Sequence, residues 1–277
     1  MDYKRILTIQ DISCVGQCSL TVALPVLSAC GLETCILPSA VLSTHTGGFT
    51  GFTFRDLTDD MPAIWRHWQK ENIAFDAVYT GYLGSARQIA CVQDIFKNML
   101  RPGGKTIVDP AMADNGRLYT GFDDAYVRAM RTLCAAADVI LPNLTEACLL
   151  TGESYREIYD ADFVRGLLDK LETLGVRRII LTGVSDRPGE TGVAVREDGK
   201  TFFYSHHRVP RTFHGTGDIY ASAFTGAWLR GRSLCAAAQL AADFVVRCIA
   251  NTLDDESHWY GVKFEPALPD LIHMLGA

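Results

Sequence analysis

A short glycine-rich stretch, Gly215-Thr216-Gly217-Asp218, precedes an unusually apolar helical pattern. Glycine lets the backbone approach a ligand closely, and the first turn of a helix offers unpaired N–H groups and partial positive charge, which suit a phosphate. A carboxylate in that turn, here Asp218, could take the proton from an alcohol as the alcohol attacks phosphorus. A plain turn followed by an N-terminal acid would look the same, so the meaning of the stretch depends on its surroundings.

Several predicted strands end in polar side chains that could join this site. The first strand runs into Asp11 and Ser13, and three later strands run into Asp109, Asn143 and Thr182. In an open parallel sheet, ligands bind beyond the carboxyl ends of the strands, so these side chains are expected along one edge. Turn formation explains the glycines at strand ends, but it explains two acids and an asparagine in one layer less well.

The elements that would carry these residues alternate between short apolar runs and longer amphipathic runs. The apolar runs predict strands at residues 5–10, 34–38, 75–80, 105–109, 138–141 and 176–181. The amphipathic or apolar longer runs predict helices at residues 19–30, 63–70, 86–100, 123–134, 162–174, 217–229, 234–252 and 268–274. Strands separated by such helices imply crossover connections, so we predict an α/β fold with a mostly parallel sheet between helical layers. Residues 191–195 and 201–205 predict an antiparallel hairpin.

Composition narrows the class of protein. The chain has 277 residues, of which 48% are hydrophobic, and a net charge of −6 without a basic block. Nucleic acids and anionic membranes are bound by clustered Lys and Arg, so neither partner is expected. No apolar run approaches the roughly 20 residues that span a bilayer. With no linker, repeat or low-complexity tract, residues 1–277 are predicted to form one domain.

The cysteines and the missing motifs exclude further classes. The nine cysteines are odd in number, and the first residues show no export-signal pattern. Both features favour reduced thiols and a cytoplasmic location. Cys14, Cys18, Cys30 and Cys35 lack the paired spacing of a zinc site. Neither a P-loop nor a Gly-x-Gly-x-x-Gly fingerprint is present, which disfavours P-loop NTPases and common dinucleotide-binding proteins.

The glycine stretch resembles the signature found near the C-terminus of kinases in the ribokinase-like superfamily. Three further segments are similar to those of the pyridoxal, pyridoxine and pyridoxamine kinases: Val41-Leu42-Ser43-Thr44-His45-Thr46-Gly47, Thr80-Gly81-Tyr82-Leu83-Gly84-Ser85 and Val108-Asp109-Pro110-Ala111-Met112-Ala113-Asp114. A fourth, Asp138-Val139-Ile140-Leu141-Pro142-Asn143-Leu144-Thr145-Glu146, is found across that kinase group. The segments follow the family's order over nearly the whole chain, and they are specific together although none suffices alone.

The resemblance implies a ribokinase-like three-layer α/β sandwich with a small flap over the substrate. It implies ATP-dependent phosphorylation of the hydroxymethyl group of a vitamin B6 compound, with ATP and Mg²⁺ as cofactors. It also implies a homodimer. On this resemblance Asp218 is the general base, and Gly215, Thr216 and Gly217 form the anion hole for the transferring phosphate.

The nucleotide side of the site also follows from the resemblance. Asn143 and Glu146 match a motif that helps to place Mg²⁺ and the nucleotide phosphates, although the same spacing is that of a helix capping box. Asp109 is the second residue implied to lie near the metal. Since Mg²⁺ keeps several waters, one Glu that reaches it through water is enough. The remaining residues implied on the nucleotide side are Asp114, Tyr119, Thr182, Gly183, Thr216 and Gly217.

On the substrate side, His45 and Thr46 match the family's substrate loop, and Tyr82 matches an aromatic residue that contacts the pyridine ring. Residues 43–54 are rich in Gly, Thr and Phe. We predict that they move over the substrate as a flap and keep water from the transferring phosphate.

One position departs from the family pattern. Many members carry Ser-His after the Ile-Gln of the first strand, but here Asp11-Ile12-Ser13 follows Ile9-Gln10. Either Asp11 replaces that serine or Ser13 takes its place. A carboxylate could suit a protonated pyridine nitrogen or the amine of pyridoxamine.

Three other functions compete with this one. A hydroxymethylpyrimidine kinase has a related fold and a similar small aromatic alcohol, but Asp218 and His45-Thr46 count against it. A sugar kinase fits the first strand poorly. A non-catalytic B6-binding protein on the same scaffold would have no need of a base beside a phosphate hole.

Overall fold

The structure is a computed structural model that describes residues 3–209, 211 and 213–276. Its strands are β1 (Arg5–Ser13), β2 (Glu33–Leu42), β3 (Phe54–Asp56), β4 (Phe75–Thr80), β5 (Leu100–Val108), β6 (Ala113–Asp114), β7 (Arg117–Leu118), β8 (Val139–Ile140), β9 (Arg178–Thr182), β10 (Glu190–Glu197) and β11 (Lys200–His207). Its α-helices are α1 (Leu20–Ala29), α2 (Met61–Lys70), α3 (Ala86–Asn98), α4 (Asp124–Ala135), α5 (Leu144–Thr151), α6 (Ala161–Glu172), α7 (Thr216–Leu229), α8 (Leu234–Ala250) and α9 (Leu268–Met274).

The strands form a mixed sheet in the order β11-β10-β9-β8-β5-β4-β1-β2-β3, with β6 and β7 as a separate hairpin. From β9 through β2 in that order, neighbours pair in parallel. The additions at the two edges, β10–β11 and β3, are antiparallel. The carboxyl ends of the parallel strands therefore meet at one edge, where the candidate residues were expected.

Helices cover both faces of this sheet. Consecutive strand residues point to opposite faces, so Ile6 packs with α1, α7, α8 and α9, whereas Leu7 packs with the helices from α2 to α6. The predicted three-layer α/β sandwich with a mostly parallel sheet is confirmed. Within the described ranges, no helix combines the length and apolar character needed to cross a lipid bilayer.

Most predicted elements are present, with ends that differ by a few residues. The strand Phe75–Thr80 and the helix Leu268–Met274 match at both ends. The predicted hairpin is present as β10–β11, where Asp198 and Gly199 have φ values of 49° and 75°. Left-handed conformations at both positions suit a tight two-residue hairpin turn.

The sequence did not predict β3, the β6–β7 hairpin or α5. The three strands have two or three residues each, too few to show a period. Helix α5 has eight residues and six of them are buried, so it lacks an amphipathic stripe. Strand β1 continues to Ser13, beyond the predicted end at Gln10, and its register with β2 shifts between Gln10 and Ile12.

Candidate active site

The glycine stretch lies where α7 begins. Gly215 is the N-cap residue and has a φ of 76°, a left-handed conformation that favours glycine. A Cβ atom at Gly215 would lie 1.8 Å from the carbonyl oxygen of Gln17, so close packing also requires glycine. Gly215 has no side chain with which to cap the helix, and among the described residues no hydrogen bond to the Thr216 or Gly217 N–H is found, so these groups suit an anion.

Asp218 lies in the first turn of α7 and is partly accessible. Burial raises the pKa of Asp218 to about 7; the backbone N–H of Ser19 donates to the carboxylate and opposes this shift, while the negative charge of Asp11 adds to it. A carboxylate with this pKa is poised to accept a proton near neutral pH. Its place beside the uncapped helix start brings a base and an anion site together.

Glu146 lies in the first turn of α5 and is 2% exposed. Its Oε1 accepts hydrogen bonds from the Met112 and Ala113 N–H groups at 3.0 and 3.5 Å, and its Oε2 accepts one from the Asn143 N–H at 2.8 Å. The Asn143 side chain accepts from the Glu146 N–H in return, which completes the capping box that the spacing predicts. Burial raises the pKa of Glu146 to about 8.

Asp109 follows the last residue of β5 and is partly accessible. Burial raises the pKa of Asp109 strongly, and the negative charges of Glu146 and Asp218 raise it further. Among the described residues, no Lys or Arg forms an ion pair with Asp109 or Glu146. Neighbouring carboxylates without a cation are destabilising, so this pair fits a divalent cation.

The coordination that this pair could offer is limited. Nowhere in residues 3–209, 211 and 213–276 are three His, Cys, Asp or Glu side chains grouped to hold a metal ion. A Mg²⁺ ion near Asp109 and Glu146 would keep most of its waters, which is its usual behaviour.

The outer nucleotide-side residues are arranged around Asn143. The Asn143 side chain donates to the Ala113 carbonyl oxygen at 2.8 Å. The Thr182 N–H donates to the Pro142 carbonyl oxygen at 2.9 Å, and Gly183 follows with a φ of 74°. Asp114 is exposed, and its negative charge contributes to the raised pKa of Glu146. Tyr119 is also exposed, at 41%.

The second group of predicted residues lies near Asp218, and we call it the ring side after the substrate contact that the sequence predicts for it. Asp11 and Ser13 are 5% and 1% exposed, and the Ser13 Oγ donates to the Asp11 Oδ2 at 3.0 Å. Tyr82 is half-buried and stacks on Phe122 with ring centroids 5.6 Å apart. Burial raises the pKa of Tyr82 to about 12, and the charge of Asp11 contributes to the shift. Ser13 thus contacts Asp11, and both side chains lie at the end of β1.

His45 is fixed by two backbone contacts. Its Nδ1 accepts a hydrogen bond from the Gly47 N–H at 3.0 Å, so its Nε2 carries the proton and donates to the Tyr260 carbonyl oxygen at 2.6 Å. The ring is 5% exposed. Because both nitrogens are engaged, His45 can meet a ligand only through its ring face. Thr46, the next residue, is exposed.

The loop that carries His45 packs against residues 257–261. The Phe49 and Trp259 rings lie 4.6 Å apart, and a Cβ atom at Gly48 would come within 2.8 Å of Trp259. Strands β2 and β3 flank the loop, which is closed at its base where the Ser43 N–H donates to the Thr53 carbonyl oxygen at 3.2 Å. The predicted flap is therefore a hairpin loop, and its movement stays a prediction.

Two contributors were not predicted from the sequence. Ser19 precedes α1 as a capping serine would, but its side chain caps no N–H group. Its hydroxyl instead hydrogen-bonds the Asp11 carboxylate, and its backbone N–H serves Asp218. Trp259 and Tyr260 are the second contributor. The sequence shows that a serine precedes a helix. It does not show that this serine bonds to Asp11 and Asp218, because those contacts form only in the folded chain.

Known proteins show the same fold and chemistry class. A Bacteroides thetaiotaomicron structure, described as a candidate phosphomethylpyrimidine kinase in a crystal form with pyridoxal, is 40% identical with a TM-score of 0.92, over 98% of this chain and 96% of that one. A Lactobacillus plantarum pyridoxal kinase structure is 32% identical with a TM-score of 0.91, over 99% of this chain and 98% of that one. A Bordetella avium pyridoxine/pyridoxal/pyridoxamine kinase is 26% identical over 264 residues, 89% of this chain and 85% of its own length.

The sequence model of the phosphomethylpyrimidine kinase family matches residues 29–262, which is most of the chain. The matched range covers the loop between β2 and β3, Asp109, Glu146 and the start of α7. The chain is therefore a kinase that belongs to the phosphomethylpyrimidine kinase family.

Proposed function

We propose that this kinase transfers the γ-phosphate of ATP to the hydroxymethyl group of a vitamin B6 compound. The observation that carries the proposal is the start of α7, where Asp218, with a pKa raised to about 7 by burial, adjoins uncapped N–H groups. Asp218 would accept the hydroxyl proton while the substrate oxygen bonds to the γ-phosphorus and the bond to ADP breaks. The N–H groups near Gly215, Thr216 and Gly217 would stabilise charge on the transferring oxygens.

The ring side supports a small flat heterocycle as the acceptor. Tyr82 offers an aromatic surface, and Asp11 and Ser13 offer polar contacts beside it, which is the combination such a ligand requires. The Lactobacillus and Bordetella relatives carry B6 kinase names, and the Bacteroides structure was solved with pyridoxal. These likenesses support a B6 acceptor for this chain.

We further propose that Asp109 and Glu146 hold Mg²⁺, directly or through water, and that Asn143, Thr182 and Gly183 face the nucleotide. Mg²⁺ bound there would offset the charge of the phosphates and orient them. Three backbone N–H groups hold the Glu146 carboxylate in place, so the negative charge that would attract Mg²⁺ has a fixed position. Asp114 and Tyr119 border this region and would contact the triphosphate.

We also propose that residues 1–277 form one domain and that the protein is a cytoplasmic homodimer. Limited proteolysis would test the first point, since one domain should resist cleavage between its elements. Light scattering after size exclusion would test the dimer.

A second candidate acceptor is hydroxymethylpyrimidine, which the description of the matched family favours. To separate the two, the protein is incubated with Mg-ATP and, in separate reactions, pyridoxal, pyridoxine, pyridoxamine and hydroxymethylpyrimidine, and products are identified by mass spectrometry. Phosphorylated B6 compounds are the expected result. Phosphate on the pyrimidine alone would assign the second acceptor. Ligand binding without any product would indicate a non-catalytic B6-binding protein.

A further inference from the structure

Asp11 is a buried carboxylate near the end of β1, and its charge acts on both Asp218 and Tyr82. It is 5% exposed and accepts hydrogen bonds from the hydroxyls of Ser13 and Ser19. The titratable groups that face it are those of Asp218, Tyr82, Cys18 and His45, each of which interacts with the Asp11 charge. Asp11 therefore belongs to the group of residues that we propose binds the acceptor.

The lysines and arginines in the described part of the chain do not pair with this carboxylate. No Lys or Arg there forms an ion pair with Asp11. Of the groups that face it, only His45 could carry positive charge, and both of its ring nitrogens are engaged by backbone groups of Gly47 and Tyr260, so neither is hydrogen-bonded to Asp11. A buried carboxylate without a cation is costly unless a ligand supplies the cation.

The three B6 compounds differ at one ring position only. Position 4 carries an aldehyde in pyridoxal, a hydroxymethyl group in pyridoxine and an aminomethyl group, protonated at neutral pH, in pyridoxamine. Position 4 is adjacent to the hydroxymethyl group that would receive the phosphate, whereas the ring nitrogen lies opposite position 4. Ile12 pairs with Ser19, and the Gln17 carbonyl oxygen packs against Gly215, so the end of β1 lies beside the start of α7. A group that contacts Asp11 should therefore adjoin the reacting hydroxymethyl group, which would lie at Asp218.

We propose that Asp11 is a specificity-determining residue that binds the ammonium group of pyridoxamine, so that the enzyme prefers pyridoxamine to pyridoxine and pyridoxal. Ser13 and Ser19 act as positioning residues, because their hydroxyls hold the carboxylate in place and favour its charged form. This inference rests on the proposed B6 kinase function.

The test compares kcat/KM for pyridoxamine and pyridoxine in the native protein and in Asp11→Asn, which keeps the shape but removes the charge. The wild-type ratio should favour pyridoxamine. A charged hydrogen bond of this kind corresponds to a loss of roughly 10- to 100-fold in the variant for pyridoxamine, against about 3-fold or less for pyridoxine. Asp11→Ser, which restores the serine of many family members, should behave in the same way.

Asp56→Asn is the matched control. Asp56 is an exposed acid whose charge also acts on Tyr82, but it is bonded to Thr58 and Gln88. Its removal should leave the pyridoxamine to pyridoxine ratio unchanged. A shift of the ratio as large as that in Asp11→Asn would show that general negative potential, and not contact with Asp11, sets the preference, and it would overturn the inference.

Other outcomes separate this inference from the proposed function. Equal losses for all three compounds in Asp11→Asn would place the carboxylate at the ring nitrogen and overturn it, while leaving a B6 kinase. An unchanged pyridoxamine to pyridoxine ratio in an Asp11→Asn variant that is active on pyridoxine would also overturn the inference and leave a B6 kinase. If no B6 compound is phosphorylated at all, the function fails, and calorimetric titration of pyridoxamine and pyridoxine still decides the inference, since equal affinities would refute it.

Discussion

The two sides of the candidate site are built by different means. On the phosphate side, Asp218 and Glu146 lie in the first turns of helices, and contacts close in sequence such as the capping box hold Glu146. On the ring side, His45 is held by Tyr260, 215 residues away, and Phe49 by Trp259. The phosphate side is thus recognisable from short motifs, whereas the ring side depends on distant contacts that local sequence does not reveal.

Asp218→Asn should produce the largest effect and would sharpen this comparison. Loss of a general base typically lowers the rate about 10²- to 10⁴-fold, so kcat for pyridoxine should fall by that order while KM changes little. Steady-state kinetics would measure both. Asp162→Asn, whose carboxylate is 90% exposed, is the control and should be fully active. Substantial activity in Asp218→Asn would refute the role of Asp218 as base.

Glu146→Gln should come next, with an effect confined to the phosphate side. The uncharged amide cannot accept all three backbone N–H groups and cannot offset Mg²⁺, so KM for Mg-ATP should rise on the order of 10-fold or more. KM for the B6 compound should stay within about 2-fold, because the hydrogen bonds of Glu146 to described residues all go to Met112, Ala113 and Asn143 and none to the ring side. Equal increases in both constants would show that the two sides do not act separately.

The pH dependence gives a third, smaller effect. Asp218 must be unprotonated to act as base, so kcat/KM for pyridoxine should fall about tenfold per pH unit below a pKa of about 7. Its pKa is raised by burial, so the folded protein binds this proton more tightly than the unfolded chain does. Its contribution to stability is therefore present at acid pH and is lost as the pH rises toward 7.

Because the pKa of Asp218 is raised, removing its carboxylate should change thermal stability in a pH-dependent way. Asp218→Asn removes a buried charge, so it should raise the melting temperature at pH 8 more than at pH 5. A variant with a lower melting temperature at pH 8 would contradict the direction of the shift.

Trp259→Ala should have the smallest effect and should act on the ring side alone. Loss of the Phe49 contact would loosen the loop between β2 and β3, raise KM for the B6 compound roughly 3- to 10-fold and leave KM for ATP unchanged. Hydrogen exchange across residues 43–54 should become faster. Phe202→Ala, an exposed aromatic on β11, is the control. Identical exchange with and without B6 plus nucleotide in the native protein would count against a moving flap.

The same contrast explains what the sequence could predict. The alternating apolar pattern predicted the layers and most elements, since each strand and helix of ordinary length carries its own period. Asn143 and Glu146 could be recognised as a capping box because the signal spans four positions. The roles of Tyr260 and Trp259 could not be predicted, because only folding brings them to residues 45–49.

Position 11 combines a feature that the sequence revealed with one that only the folded chain shows. The sequence marked it as a departure but left Asp11 and Ser13 as alternatives. The extension of β1 to Ser13 buries both and bonds the serine to the acid, and no local pattern predicts where a buried strand stops.

Ser19 has a further consequence for how this enzyme can evolve. Its φ of 55° is unusual for a residue other than glycine, and the conformation directs its N–H to Asp218 and its hydroxyl to Asp11. A single residue therefore connects the group proposed to read the acceptor with the group proposed to deprotonate it. Mutations at position 11 that change acceptor choice should show epistasis with positions 19 and 218. Lineages that alter their preferred vitamin are expected to change these positions together.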